Sequence, residues 1–496
     1  MDALQCEKRG DKIGQWVAFC QIGTCYLNLG HFEKAMEFES KNLAIAVEVG
    51  DRLRQGHTYG KIGGVHHCLG QYDKALDCHV KHLAIAVDAL DKVEQGSAYC
   101  GMGAAYNSLG QFEKALESFS KQLTIAADLQ NKVREDASAY CGMGDAYQNL
   151  NQLERALCFY EKALAIVVES GNRNGERAVY GFMAVTYDRL GLFEKALTYH
   201  LKQLAISVEL GNRPEQGKAY GNMSITYENL GEFEKALEFG SKQLAIALES
   251  DDKDGQGKAY GNIGKAYCSL GQIAKSLENH LKHLTIAIEV SDTLGQGAAH
   301  YNMSKAYQRA GLFEESLEVS SKCLTIALDV GDRRGQGEAH RHMAVVYQRM
   351  SQFEKALEAG SKHMEIAIEK GDKAGQAAAH CNMSNAYHGM GLFEKALEFS
   401  SKYLAIAVDI GDRHQQGRAH SNMGVAYHSM GQFEKAIEVF LKHMEIAFEG
   451  GDRLGLSKAY ETMSYAYSSL GEVEKARNFQ SKGEAIMLEL RNRSTT

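Results

Sequence analysis

QGKAYGNMSITYENLGEFEKALEFGSKQLAIALESD, from Gln216 to Asp251, is one copy of a unit written twelve times along this 496-residue chain. Asp or Asn opens every copy, at Asp11, Asp51, Asp91, Asn131, Asn172, Asn212, Asp252, Asp292, Asp332, Asp372, Asp412 and Asp452. The units therefore run 11–50, 51–90, 91–130, 131–171, 172–211, 212–251, 252–291, 292–331, 332–371, 372–411, 412–451 and 452–491. The fourth carries one extra residue near Glu135. Residues 1–10 read as the tail of a preceding helix or an N-terminal extension, and 492–496 as a C-terminal tail. Self-similarity at a fixed period signals a stacked array in which each unit touches its neighbours, and makes a binding surface the default function.

Each unit reads as two antiparallel helices. The opening Asp/Asn suits an N-cap, where its side chain accepts from an unpaired N–H of the first turn. Helix A is expected from the second residue after that cap to the mid-unit Leu-Gly or Met-Gly; helix B starts at Phe-Glu-Lys-Ala and ends at the next Gly-Asp. Glycine fills the mid-unit turn in ten copies, with Asn151 and Ser351 the exceptions. Apolar spacing follows a helical period: Tyr220, Met223 and Tyr227 in helix A, Phe233, Leu237, Leu244 and Ile246 in helix B. Small residues such as Gly103, Gly264, Ser224 and Ala236 mark places where helices approach closely. Glu117–Lys121, Glu238–Lys242 and Glu438–Lys442 have the favourable i,i+4 orientation of solvated struts. The fold class is all-α, an α-solenoid.

A net charge of −8 argues against nucleic acid as partner. No apolar run is long enough to cross a membrane, so membrane insertion is not expected. Eleven cysteines, several at one repeat position (Cys20, Cys100, Cys141, Cys381), suit apolar fillers in a reducing cytoplasm. The sequons at Asn222, Asn302 and Asn382 recur at one mid-helix position and read as repeat chemistry rather than glycosylation sites.

In the third unit Tyr99, Met102, Gly103, Tyr106, Phe112 and Ala115 follow the signature of the tetratricopeptide repeat (TPR), which the chain resembles over almost its whole length. The longer unit, with no closing proline, is similar to the TPR array of LGN/Pins-type scaffold proteins. The resemblance implies a right-handed superhelix of twelve TPR-like helix-turn-helix units, with helix A lining the concave face. It also implies that Asn222, Asn262, Asn302, Asn382 and Asn422 form a ladder clamping the backbone of an extended peptide. An amide suits that task because it donates and accepts at once. The ladder breaks at His342.

Lys218, Lys258, Lys265, Lys305, Arg309, Arg341, Arg349 and Arg418 are expected to face the same channel, which favours an acidic peptide segment. Asp145, Asp188 and Glu228 hold equivalent places just before them. His300, His340, His380 and His420 take the first aromatic slot of helix A and read as neutral packing residues before they read as a pH sensor. Cys78, His79 and His82, like His280 and His283, have metal-like spacing, but other copies simply hold polar residues there. No Walker motif, HExxH or nucleophile elbow appears, so no enzyme and no cofactor is expected. The leading reading is a cytoplasmic scaffold holding an extended segment of a protein partner. A sensor or regulatory array of a larger signalling protein is the alternative, and end-to-end self-association is a third outcome.

Overall fold

The computed structural model describes residues 10–128 and 135–493; the cap Asn131 and most of the two tails lie outside them. Among the described residues there are 24 helices and no strand. They form a solenoid of twelve helix-turn-helix units, helix A odd-numbered and helix B even-numbered.

The chain divides into two compact units, Met1–Glu232 and Phe233–Thr496. The first holds α1 (Lys12–Asn28), α2 (Phe32–Glu48), α3 (Arg52–Cys68), α4 (Tyr72–Asp88), α5 (Lys92–Ser108) and α6 (Phe112–Asp128). It continues with α7 (Glu135–Asn149), α8 (Leu153–Glu169), α9 (Arg173–Arg189), α10 (Phe193–Glu209) and α11 (Arg213–Leu230). The second holds α12 (Phe233–Glu249), α13 (Lys253–Ser269), α14 (Ile273–Glu289), α15 (Thr293–Ala310), α16 (Phe313–Asp329) and α17 (Arg333–Arg349). It ends with α18 (Phe353–Glu369), α19 (Lys373–Gly389), α20 (Phe393–Asp409), α21 (Arg413–Ser429), α22 (Phe433–Glu449), α23 (Arg453–Ser469) and α24 (Val473–Arg493).

Caps set where helix A begins. All eleven described opening residues accept a hydrogen bond from a first-turn N–H, as Asp11 does from Gly14 at 2.8 Å and Asp452 from Gly455 at 2.7 Å. Helix A therefore starts on the residue directly after the cap, one earlier than the sequence suggests. The turn glycines adopt positive φ, for example 80° at Gly231, and Asn151 and Ser351 hold the same geometry at 58°.

A second lock explains the Gln-Gly of the unit. Four residues after the cap, a glutamine Nε2 donates to a carbonyl near the end of the preceding helix B: Gln95 to Ala86 at 3.1 Å, Gln256 to Ala247 at 3.2 Å, Gln336 to Ala327 at 3.0 Å. That bond fixes the turn between repeats by adding a side-chain donor to a carbonyl that already accepts the backbone N–H of the cap residue.

Within a repeat, helices A and B meet through size complementarity. Gly103 faces Phe119, Gly144 faces Tyr160, Gly264 faces His280 and Gly424 faces Phe440, so closely that an added Cβ would lie 2.6, 2.4, 2.5 and 2.3 Å from those rings. In two repeats serines face each other instead and their hydroxyls bond: Ser304 with Ser320 at 2.7 Å, Ser384 with Ser400 at 2.6 Å. Lys121–Glu117, Lys242–Glu238 and Lys442–Glu438 are exposed ion pairs, as the spacing predicts.

Candidate functional site: the helix A face

Counted from the opening cap, the thirteen candidate residues sit at steps 6, 9, 10, 13 and 17 of helix A. Steps of three and four place all of them on one helix face. Lys218 and Asn222 belong to α11 in the first compact unit; the other eleven belong to α13, α15, α17, α19 and α21 in the second.

The amides are only partly free. Asn262 Nδ2 donates to Gln243 Oε1 at 3.1 Å, and Asn422 Nδ2 lies 3.6 Å from Cys381 Sγ. Asn302 is 8% exposed, whereas Asn222, Asn262, Asn382 and Asn422 are half-buried. The carbonyl of Asn382 accepts from Gln348 Nε2 at 2.7 Å, which ties α19 to α17.

The cations separate into two groups. Lys218 pairs with Glu215 at 2.7 Å and Lys258 with Asp254 at 2.5 Å, each on its own helix. Arg341 Nη2 donates to Glu338 Oε2 at 2.5 Å and to the Tyr301 hydroxyl at 2.7 Å. Burial alone would push the Glu338 carboxyl up, but the Arg341 guanidinium outweighs it and holds the group below its ordinary value. Arg341 is thus largely spent on neighbours. Lys265 is half-buried, Lys305 has its Nζ 5.6 Å from the Tyr301 ring centroid, and Arg309 is exposed.

Arg349, Arg418 and Asn422 are brought together. They line a cavity of about 640 Å³ with Asn385, His443 and Lys458. Four successive A helices contribute, from the C-terminal end of α17 to the first turns of α23. Arg309 and Arg349 border a neighbouring hollow of about 450 Å³. Asn262, Asn302 and Asn382 do not line either one.

Sequence reasoning missed the other wall of this face. Thirty-one residues after the cap, helix B inserts a buried side chain that is mostly polar: Gln243, His283, Cys323, His363, Tyr403 and His443. The signal was present as a polar residue recurring inside the apolar stripe of helix B. Burial lowers the imidazole of His443 to about 4 and depresses those of His283 and His363, so all three are neutral at pH 7.

Other candidates are structural. The Tyr160 hydroxyl donates to Asp145 at 2.6 Å, and burial raises that carboxyl. Asp188 accepts from the Thr226 hydroxyl at 2.9 Å. Burial lowers the imidazoles of His300, His340, His380 and His420, which keeps them neutral. Among the described residues no group of three or more His, Cys, Asp or Glu side chains is arranged to hold a metal ion. No described helix is long and apolar enough to cross a membrane.

Comparison with known proteins agrees with this architecture. Tetratricopeptide repeat models match residues 17–38, 58–93, 94–167, 176–249, 255–329, 335–407 and 415–489. A STAND signal-transduction ATPase with a tetratricopeptide repeat sensor, from Pyrococcus horikoshii, is similar in structure at a TM-score of 0.53 and 17% identity. That likeness covers 81% of this chain and 62% of that one. A Rap protein complexed with competence and sporulation factor is similar at a TM-score of 0.51 and 12% identity, covering 72% of this chain and 99% of the other. No curated protein matches the chain. The repeat matches span most of the sequence, and the chain belongs to the tetratricopeptide repeat family.

Proposed function

We propose that this chain is a cytoplasmic interaction scaffold whose helix A face holds an extended, acidic segment of another protein. The observation that carries the reading is the row of amides and cations that recurs on one face of α13 to α21, interrupted at His342 and backed by buried polar side chains from helix B. Such a surface offers many small contacts to a backbone rather than one deep reaction pocket, which favours binding over catalysis. An enclosed complex of this kind requires that amide donors replace the water lost by the peptide groups.

The test is affinity capture with the intact chain and with an Asn262→Ala/Asn382→Ala variant, chosen because Asn302 is already buried. The reading expects the variant to lose a specific partner while keeping its helicity and melting temperature. Equal capture by both proteins would remove the helix A face as the site. A sensor array within a larger signalling protein is the second reading, and the likeness to a STAND protein with a repeat sensor is what favours it. End-to-end self-association would add a concentration-dependent mass to either.

A further inference from the structure

We propose that the cavity lined by Arg349, Arg418 and Lys458 is a phosphoryl-binding subsite, built to take a phosphorylated side chain of the segment held along helix A. The source of the phosphoryl group rests on the groove reading above; the anion chemistry of the cavity does not.

Three observations meet there. First, three of its cations have no ion-pair partner. Among the described residues neither Arg349, Arg418 nor Lys458 has a carboxylate within ion-pair distance, although Lys258 and Arg341 on the same face are both neutralised. Of the other lining groups, Arg413 pairs with Glu449, and the Asp452 carboxylate lies 3.2 Å from His414 Nδ1. Asp452 is further committed to capping α23 through Gly455.

Second, the wall contains a buried ring nitrogen without a partner. His443 is 6% exposed and lines the cavity, and its Nδ1 has no hydrogen-bond partner. A buried polar nitrogen left unpaired costs free energy that an anionic oxygen would recover. Its imidazole is held neutral by burial, with Asp452 acting the other way and His420, His414 and Lys458 adding to the depression. A neutral ring can carry its proton on Nδ1 and donate it to an oxyanion.

Third, the neutral donors needed to complete an oxyanion shell are present as the amides of Asn385 and Asn422. Two guanidinium forks and one ammonium, all reached by solvent, line the cavity, and Arg side chains bond a phosphoryl group in bidentate fashion. Charge separates this ligand from a carboxylate. Three cations around one carboxylate would stay under-neutralised, whereas a phosphoryl group carries about −1.5 to −2 at pH 7. At about 640 Å³ the cavity admits the group together with the side chain that bears it.

The experiment is calorimetric titration of the full chain with inorganic phosphate, with O-phosphoserine and with acetate at matched ionic strength. The His443 ring is followed by NMR. The proposal expects saturable binding of both phosphate compounds and a move of the His443 ring signals. It also expects at least a tenfold loss in an Arg349→Gln/Arg418→Gln variant and weaker binding in His443→Gln; glutamine already fills this position at Gln243. Acetate binding as tightly as phosphate, or phosphate binding untouched by the double arginine variant, would overturn it. If inorganic phosphate binds and O-phosphoserine does not, the subsite serves a free anion and its link to a bound segment fails. The Asn262→Ala/Asn382→Ala variant lies outside the cavity and should keep phosphate affinity. Lost partner capture with intact phosphate binding therefore separates the groove from its subsite.

Discussion

Leu90 shows how a single position can be out of step with its repeat. It sits at φ 55°, in the turn position that Gly50, Gly331 and Gly411 fill elsewhere, and its side chain is 84% exposed. A left-handed conformation costs an L-residue about 1–2 kcal/mol, and an exposed leucine recovers little of it by burial. Leu90→Gly is expected to raise unfolding free energy by about 1 kcal/mol, read by urea denaturation. His280 gives a pH prediction. It is 1% exposed, and burial lowers its imidazole from 6.5 to about 3, helped by His283, Lys265 and Lys305. The unfolded chain takes up that proton below pH 6.5 and the folded chain does not. The stabilisation is therefore complete above 6.5 and lost as pH falls toward 3. His280→Phe, which copies Phe119 and Phe440, should flatten the loss by about 1.4 kcal/mol per pH unit within that window. Melting curves from pH 7 to 4 would show it, and parallel slopes for the two proteins would refute it.

At the scale of elements, helix starts, turns and the inner stripe were legible because each depends on residues close in sequence. Asp252 caps the helix that follows it, and Phe233 opens its own helix. The partner of each small residue was not legible. Gly103 announces a close approach, yet Phe119, which needs that space, lies sixteen residues on, in the other helix. The role of Gln256 was hidden for the same reason: its acceptor, the Ala247 carbonyl, belongs to the preceding repeat. These pairings make a quantitative prediction. Gly103→Ala places a methyl 2.6 Å from the Phe119 ring and should cost about 1–3 kcal/mol of overpacking strain. Made in a Phe119→Ala background, the same change should cost much less, and a double-mutant cycle by denaturant unfolding measures the coupling. Additive effects would mean that the ring moves aside freely.

At the scale of the whole molecule, the helix A face was legible as a period and its chemistry only in part. The repeat register placed thirteen residues on one face, but register cannot tell which charges are already spent. Lys258 and Arg341 turn to acids on their own helices, while Arg349 and Arg418 meet in a cavity that draws on four successive repeats. Of the buried polar row from Gln243 to His443 the sequence marked only His283, as metal-like spacing, because burial against the neighbouring repeat is not written in helix B itself. Partners held on the helix A face of the second compact unit would be within reach of a photocrosslinker placed there. A benzophenone side chain is placed either at Val425, exposed on the helix A face of α21, or at Glu438, exposed on the outer face of α22. Binding along helix A gives partner crosslinks from Val425 and none from Glu438; crosslinks from Glu438 alone would place the partner on the outer face instead.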